Sequence, residues 1–535
     1  MPFTVTFTLD ALEAFRSSAA GRPLLLTLGT LVLVILVASR SRSTVQTTAA
    51  VLALAVVGAI GLLLYPAVAI WYGSDPHFFD NAEPTIVSVA WVYRDGAPLY
   101  HAIDAAARYS HIYGPMAFMP YAWVLTAFGP SIAVAKWFAV ATGFAALAFT
   151  YGTARRECST SRSLVLTGGA ALTLLSFRNY SFWTRPDSLQ ILCAAMSVYF
   201  AGGRRSMPST IMAGAASGVL WNLKITGVLY SLPVLASIKQ RFGMRAVALA
   251  TLTGAAIAVA PFFLSNVSLG AYLAWVRQSS ATGLLLLLLR QNLEWAAFLS
   301  LPILLSRNLG EPNRVAERRD WVEGALAVGM LLVALAAAKP GAGPYHMLPF
   351  VPVIVFVVAR RAGRRTISEL LTPPVARVAI AFVIVLVMLA ITQSAQLMTT
   401  MQPRRAARDV EDLQTFLATH TGTVEMAYGT TEAQSLLRPL LTFRNHTYLI
   451  DQPAVREYQL QGLDLPAATI DAVRDCRVHY WLTPKNERPF SGLNGYPSVL
   501  MKPLYSRPFL DTFFDSYRRT ETTAYYDVWT CTASR

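Results

Sequence analysis

AAVLALAVVGAIGLLLYPAVAIWYGSDPHFFDNAEP, residues 49–84, decides how this chain is read. Residues 49–71 carry no charge and are long enough to cross a hydrocarbon core of about 30 Å. The stretch that follows brings Asp75, His77, Asp80 and Glu83 close together. An apolar run of that length, ending in clustered carboxylates, reads as a membrane span that opens into an aqueous compartment where ionisable groups are functional candidates.

Outward from this stretch the same apolar lengths recur. Spans are expected at 23–38, 49–71, 131–152, 163–178, 188–202, 208–222, 226–238, 246–265, 292–306, 322–338, 346–360 and 375–394. Composition agrees: of 535 residues 54% are hydrophobic and 14% charged, against about 25% charged in an ordinary soluble domain. The first apolar segment, 23–38, has no small-residue cleavage site and is followed at once by another span, so it is expected to be retained. The stretch 114–128 is short and interrupted by proline. It is expected to be a juxtamembrane or partly inserted helix on the outer side, because counting it as a span would invert every later basic loop.

The net charge of +15 sits in short loops: Arg40/Arg42, Arg155/Arg156/Arg162, Arg204/Arg205, Lys239/Arg241/Arg245, Arg307/Arg314/Arg318/Arg319 and Arg360/Arg361/Arg364/Arg365. Basic loops at alternate span ends set membrane orientation, so this excess is topological and does not point to nucleic acid. The other side then receives 72–130, 179–187, 223–225, 266–291, 339–345 and everything after 395. The expected class is a polytopic α-helical membrane protein of about 11–12 transmembrane helices. Residues 1–395 form the membrane domain, with 72–130 as its long first outer loop. Residues 396–535 are expected to form a small extracytoplasmic α/β domain, with strand, helix and strand over 423–450 and further strands in VHYWLTP and AYYDVWTCT. Cys476 and Cys531 both lie there; one disulfide and two unpaired core residues are both open. Cys158 and Cys193 suit no disulfide, and no spacing resembles a zinc site.

Three outer groups carry chemistry. Asp80 and Glu83 could supply a general base or merely start a helix, since Asp-Asn before Ala-Glu is also an N-terminal signal. Arg185 and Asp187, in Arg-Pro-Asp at a span junction, could pair internally or could bind a phosphate and a hydroxyl-rich substrate. Lys224 in WNLKITG and Lys339 in AAKPGAGPYHMLPF, with Tyr345 and His346, could hold an anionic lipid phosphate; for a lone lysine the alternative is snorkelling to headgroups. Interface aromatics such as Trp71, Phe79 and Trp183 read mainly as a membrane belt.

This arrangement resembles the GT-C membrane glycosyltransferases that use polyprenyl-phosphate sugars, especially bacterial relatives of the protein mannosyltransferases. The residues that carry the resemblance are Asp80 and Glu83 in DNAEP, Gly96 to Tyr100, Tyr113-Gly114-Pro115, Arg185-Pro186-Asp187, Lys224, and the run from Lys339 to Pro349. It covers about residues 49–395. Many relatives have adjacent Asp-Glu, whereas Asn81 follows Asp80 here, so which carboxylate is the base stays open; the resemblance favours Asp80, which holds the position of the family's catalytic Asp, with Glu83 as a substrate or metal contact. The resemblance implies an inverting hexosyl- or pentosyltransferase at the outer face of a bacterial inner membrane. Its donor would be a polyprenyl-phosphate sugar and its acceptor a glycan, lipid or protein. Asp80 or Glu83 would be catalytic; Tyr113, Arg185, Asp187, Lys224, Lys339, Tyr345 and His346 would bind substrate. A divalent cation, Mg or Mn, accompanies the acidic motif in some relatives. The rival classes are a lipid-linked-sugar flippase or other secondary transporter, for which inverted repeats and broken helices are expected, and a membrane scaffold without catalysis.

Overall fold

The computed structural model describes residues 45–177, 181–203, 206–280, 282–307, 321–363, 373–430, 434–445, 447–494 and 502–532. The span expected at 23–38 lies outside them, as do Arg40, Arg42, Arg204, Arg205, Arg314, Arg318, Arg319, Arg364 and Arg365. Among the described residues, five helical stretches are long and apolar enough to cross a membrane: Ala50–Gly73, Ile132–Glu157, Met244–Phe263, Pro344–Ala362 and Val375–Arg404. The chain is a polytopic helical membrane protein.

The bundle is built from α1 (Val45–Gly73), α4 (Ile132–Glu157), α5 (Thr160–Leu175), α6 (Pro186–Ala201), α7 (Met207–Leu223), α8 (Leu232–Phe242), α9 (Met244–Val259), α11 (Leu286–Arg307), α12 (Trp321–Ala336), α13 (Val351–Ala362) and α14 (Pro373–Met401). Three further helices lie outside the expected spans: α2 (Ala82–Arg94), α3 (Met119–Phe128) and α10 (Leu269–Ser280). Lipid tails are as apolar as leucine, so such helices pack through close backbone approach at small residues. That rule is visible at two crossings. A Cβ on Gly61 of α1 would stand 2.0 Å from the Gly168 carbonyl of α5, and one on Gly218 of α7 would stand 2.3 Å from the Gly254 carbonyl of α9.

The two ends of the bundle differ in charge. At one end, Arg241 donates to the Gly202 carbonyl (2.9 Å) and Arg162 to the Ala362 carbonyl (2.5 Å), and Arg361 pairs with Glu323. Lys239, Arg241, Arg360 and Arg361 occupy the last turns of their helices, where cations complement the helix dipole. The opposite end holds the C-terminus of α1, the N-terminus of α6 and the C-terminus of α7. Every outer candidate residue lies at that end.

Beyond α14 come α15 (Arg408–Thr419), β1 (Val424–Met426), α16 (Arg438–Asn445), α17 (Gln452–Gln459), α18 (Ala467–Arg474), β2 (Tyr480–Pro484), α19 (Arg507–Ser516), β3 (Tyr517–Thr522) and β4 (Tyr526–Cys531). The strands form one sheet in the order β1-β2-β4-β3. β1 and β2 are parallel, the other pairs antiparallel, and Trp481 faces Trp529 in the register. Trp481, Phe490, Phe513 and Tyr517 pack as its aromatic core. A disulfide joins Cys476 to Cys531 across Cα atoms 5.9 Å apart.

Two sequence expectations change here. The second strand expected near 450 is not in the sheet; Ile450 makes a single parallel bridge to Arg108 of the first loop. That pairing joins distant parts of the chain, so local β-propensity could not place it. A strand was also missed: β3, YRRTET, is exposed along all but its first residue. It is an edge strand whose charges hide the usual apolar signal.

The C-terminal region closes over the first loop. Helix α2 is buried from Glu83 to Val92, and Trp91 meets Phe443 edge-on at 5.4 Å. The Arg108 amide donates to the Leu449 carbonyl (2.6 Å), and the Asp451 amide to the Arg108 carbonyl (2.9 Å). The carboxylates at the mouth of α1 are thus held between membrane helices on one side and the C-terminal unit on the other.

Candidate active site

The loop between α1 and α2 presents two carboxylates with different surroundings. Glu83 is fully buried. It accepts from the amides of Phe79 (2.8 Å), Asp80 (2.9 Å) and Thr184 (3.2 Å), and from the Tyr72 hydroxyl. Burial pushes its pKa upward, partly offset by those donors. Glu83 therefore shapes the loop. Asp80 keeps 27% of its side chain exposed. Its Oδ1 accepts from the Ala82 amide (2.8 Å) and lies 3.4 Å from Arg185 Nη1, while among the described residues Oδ2 makes no hydrogen bond. The helix-start reading of this motif is realised too, since the Ala82 bond ties Asp80 to the first residue of α2. Both roles are compatible, because one oxygen remains available.

Arg185 is extended at the start of α6, with Pro186 at the first helical position, where proline costs no hydrogen bond. Its Nε stands 3.4 Å from Asp187, and Asp187 in turn bonds Lys224 Nζ at 2.6 Å. All three side chains are nearly enclosed. Lys224 ends α7, so the α1–α2 loop and two span ends contribute one line of alternating charges: Asp80, Arg185, Asp187, Lys224. Buried charges persist only when paired in this way.

Aromatic rings floor the line. Tyr345 lies 5.3 Å from the Arg185 guanidinium and 5.5 Å from Lys224 Nζ, and Tyr113 lies 5.4 Å from Lys224 Nζ. Tyr113 reaches that place because Gly114 follows it: a Cβ there would be 1.5 Å from the Asn222 carbonyl, so only glycine lets the loop pass the end of α7. His346 tilts against Tyr345 at 4.5 Å, and its buried Nδ1 has no hydrogen-bond partner among the described residues. Lys339 sits farther along the rim. It donates to Ser279 of α10 (3.3 Å), which bonds Glu457 of α17 (3.2 Å). The cavity of about 380 Å³ lined by Leu54, Val165, Val355 and Phe382 is apolar and holds none of these groups.

Among the described residues, the divalent cation implied by the family resemblance finds no matching donor set. Asp80 faces a guanidinium, Glu83 is taken up by its own donors, and Asp187 is bonded to Lys224. No group of three metal-ligating side chains occurs among the described residues.

Several residues that set this geometry were not legible in the sequence. Lys136, buried in α4, donates to the carbonyls of Asp75 and His77 at 2.7 Å each, fixing the loop from below. Above it, His77 bonds Asp409 at 2.9 Å and lies 3.7 Å from Asp75, and Arg405 reaches Asp75 at 3.6 Å. Arg438 and Asp451 hold the start of α2. Asp75 and His77 stand out in the sequence beside Asp80; of the others, Lys136 in an apolar span was the one detectable signal, as an intramembrane charge.

The His77 junction carries a pH dependence. Burial alone favours the neutral ring, but the bonds and charges of Asp409 and Asp75 outweigh it and raise the pKa above 6.5. A pKa raised by folding adds stability that is complete below the unfolded value and is lost as pH rises through the folded one. From about pH 6.5 upward, hydrogen-exchange protection around residues 405–412, corrected for the intrinsic rate at each pH, should fall, and His77→Gln should abolish that trend. Equal protection across the range would contradict it.

No family model matches the sequence, and no curated protein matches it. Among solved structures, the chain is similar to ArnT from Cupriavidus metallidurans bound to undecaprenyl phosphate, with 14% identity and a TM-score of 0.51 over 88% of this chain and 98% of that one. The apo state of the same protein gives 11% identity and a TM-score of 0.47, over 88% and 97%. An oligosaccharyltransferase from Archaeoglobus fulgidus, in complex with Zn and sulfate, gives 12% identity and a TM-score of 0.43, over 88% and 72%. The chain has the GT-C fold.

Proposed function

We propose, from this fold and this line of charges, that the chain is an inverting membrane glycosyltransferase with a polyprenyl-phosphate sugar as donor. The observation that carries the reading is that Asp80 shares Arg185 with the Asp187–Lys224 pair. One carboxylate able to take a proton thus stands beside cations able to hold a phosphate, at the end of the bundle opposite the basic loops. The structure similar to this one over nearly its whole length holds undecaprenyl phosphate, which supports that donor class.

In this mechanism Asp80 accepts the proton of an acceptor hydroxyl as that oxygen bonds to the anomeric carbon. The bond from that carbon to the phosphate oxygen breaks, and polyprenyl phosphate leaves with the electron pair. Attack opposite the leaving group inverts the anomeric centre. Arg185 and Lys224 hold the phosphate on which negative charge grows. Pre-placed cations stabilise such growth most where water is excluded. Tyr113 and Tyr345 line the space beside them, and Lys339 and His346 extend it. Glu83 keeps the loop in shape. No step passes through a metal ion. The sugar is a hexose or pentose, and the acceptor a glycan, lipid or protein on the outer face of the inner membrane.

The test is purified chain in lipid vesicles with a labelled polyprenyl-phosphate sugar and extracted envelope acceptors. Label should pass to an acceptor with inverted anomeric configuration while free polyprenyl phosphate accumulates. Movement of intact donor across the bilayer without transfer would overturn the reading in favour of a transporter.

A further inference from the structure

We infer that Arg438, contributed by the C-terminal unit, is a positioning residue for Asp80, so that this unit is a working part of the active site. The inference rests on the glycosyl-transfer reading above. Arg438 begins α16 and is 1% exposed. Its Nη2 donates to the carbonyl of Asn81 (2.5 Å), the residue next to Asp80, and to the Thr85 hydroxyl (2.6 Å). Its Nε donates to the Tyr448 hydroxyl (2.9 Å), and Asp451 neutralises it at 3.2 Å.

The far side of this contact is equally fixed. Asp451 accepts from the Thr85 hydroxyl (2.9 Å) and bonds His111 Nε2 (2.8 Å), and it starts α17 by accepting from the Ala454 amide (3.3 Å). Burial alone would raise the Asp451 pKa, but Arg438 and His111 hold it below the ordinary carboxylate value. An ionised pair therefore sits directly behind the first turn of α2. A guanidinium directs several donors along set directions at once, to a carbonyl, a hydroxyl and a carboxylate; a lysine offers only a compact point charge. The Asn81 carbonyl cannot turn without breaking these bonds, and Asp80 is joined to it through one peptide unit. Asp80 is also held by the Ala82 amide on its Oδ1 (2.8 Å), by its own amide on Glu83 (2.9 Å) and by the long contact to Arg185 (3.4 Å); Ala82 directly follows Asn81, so Arg438 fixes the turn that carries the first of these ties.

A misplacement of about 1 Å at a reacting group can cost about a hundredfold in rate. Arg438→Gln should lower kcat by roughly 10- to 100-fold per folded molecule, with KM for the polyprenyl-phosphate sugar nearly unchanged. Arg438→Lys should recover part of the loss. Hydrogen exchange in residues 81–85 should quicken in Arg438→Gln. Thr85→Val, which removes only the shared hydroxyl, serves if Arg438→Gln does not fold, and should reduce kcat in the same direction. Unchanged kcat per folded molecule, or a loss carried by KM, would overturn the assignment while leaving glycosyl transfer intact. If the wild-type chain transfers no sugar, the functional reading fails by itself, and unchanged exchange in Arg438→Gln would then overturn the positioning role independently.

Discussion

Asp80→Asn should lower turnover by roughly 10²–10⁴-fold, the usual share of general-base assistance, while the protein still folds and inserts. The amide oxygen can still accept from the Ala82 amide, so the start of α2 survives, and the buried bonds of Glu83 are untouched. What disappears is a basic oxygen with access to solvent. Replacing Glu83 by Gln should act differently. It sets an amide NH2 against buried donors, leaving them short of an acceptor, and should lower stability before it lowers the rate of the folded fraction. Melting temperature and turnover per folded molecule separate the two. Normal transfer by Asp80→Asn would remove Asp80 from its role.

Lys224→Met should reduce the rate by roughly 10²–10³-fold, the scale for losing one group that stabilises developing negative charge, and should weaken donor binding as well. Among the described residues, the substitution also leaves Asp187 with Arg185 as its one remaining ion-pair partner, at 3.4 Å. Removing one partner of a buried pair costs about 3–5 kcal/mol when nothing compensates, so some of the effect will be lost stability. The double variant Lys224→Met with Asp187→Asn distinguishes the parts: it should regain much of the melting temperature and little of the rate. Recovery of both together would make Lys224 a structural counter-ion.

The membrane architecture was readable because spans announce themselves by length and apolarity, and the basic loops named the end from which the site is absent. The candidate residues could be picked out for a related reason. Asp80, Arg185, Asp187 and Lys224 are ionisable groups at span ends, where the surroundings penalise any charge without a purpose. Their mutual contacts could not be read, because Asp80 and Arg185 approach only when α1 and α6 both pack against α4. The motif already favours Asp80 over Glu83; what needed three dimensions is that, three residues apart, they differ in burial and in the four donors that surround Glu83. The C-terminal contribution was invisible for the same reason. Arg438 stands alone in an apolar run, and Asp451 looks like an ordinary helix cap before Pro453. Each becomes meaningful only beside Asn81 and Thr85. Strand β3 escaped because its exposed edge carries charge where a strand signal would need alternation.

Binding of polyprenyl monophosphate to the purified protein in nanodiscs tests directly whether proton acceptor and phosphate clamp are separate parts of one cavity. Lys224→Met and Arg185→Gln should each bind at least about tenfold more weakly than wild type, since each removes a charged contact to phosphate. Asp80→Asn should bind as tightly or more tightly, because it removes a negative charge beside Arg185. Equal binding by all four proteins, or loss of binding in Asp80→Asn as deep as in Lys224→Met, would contradict that division of roles.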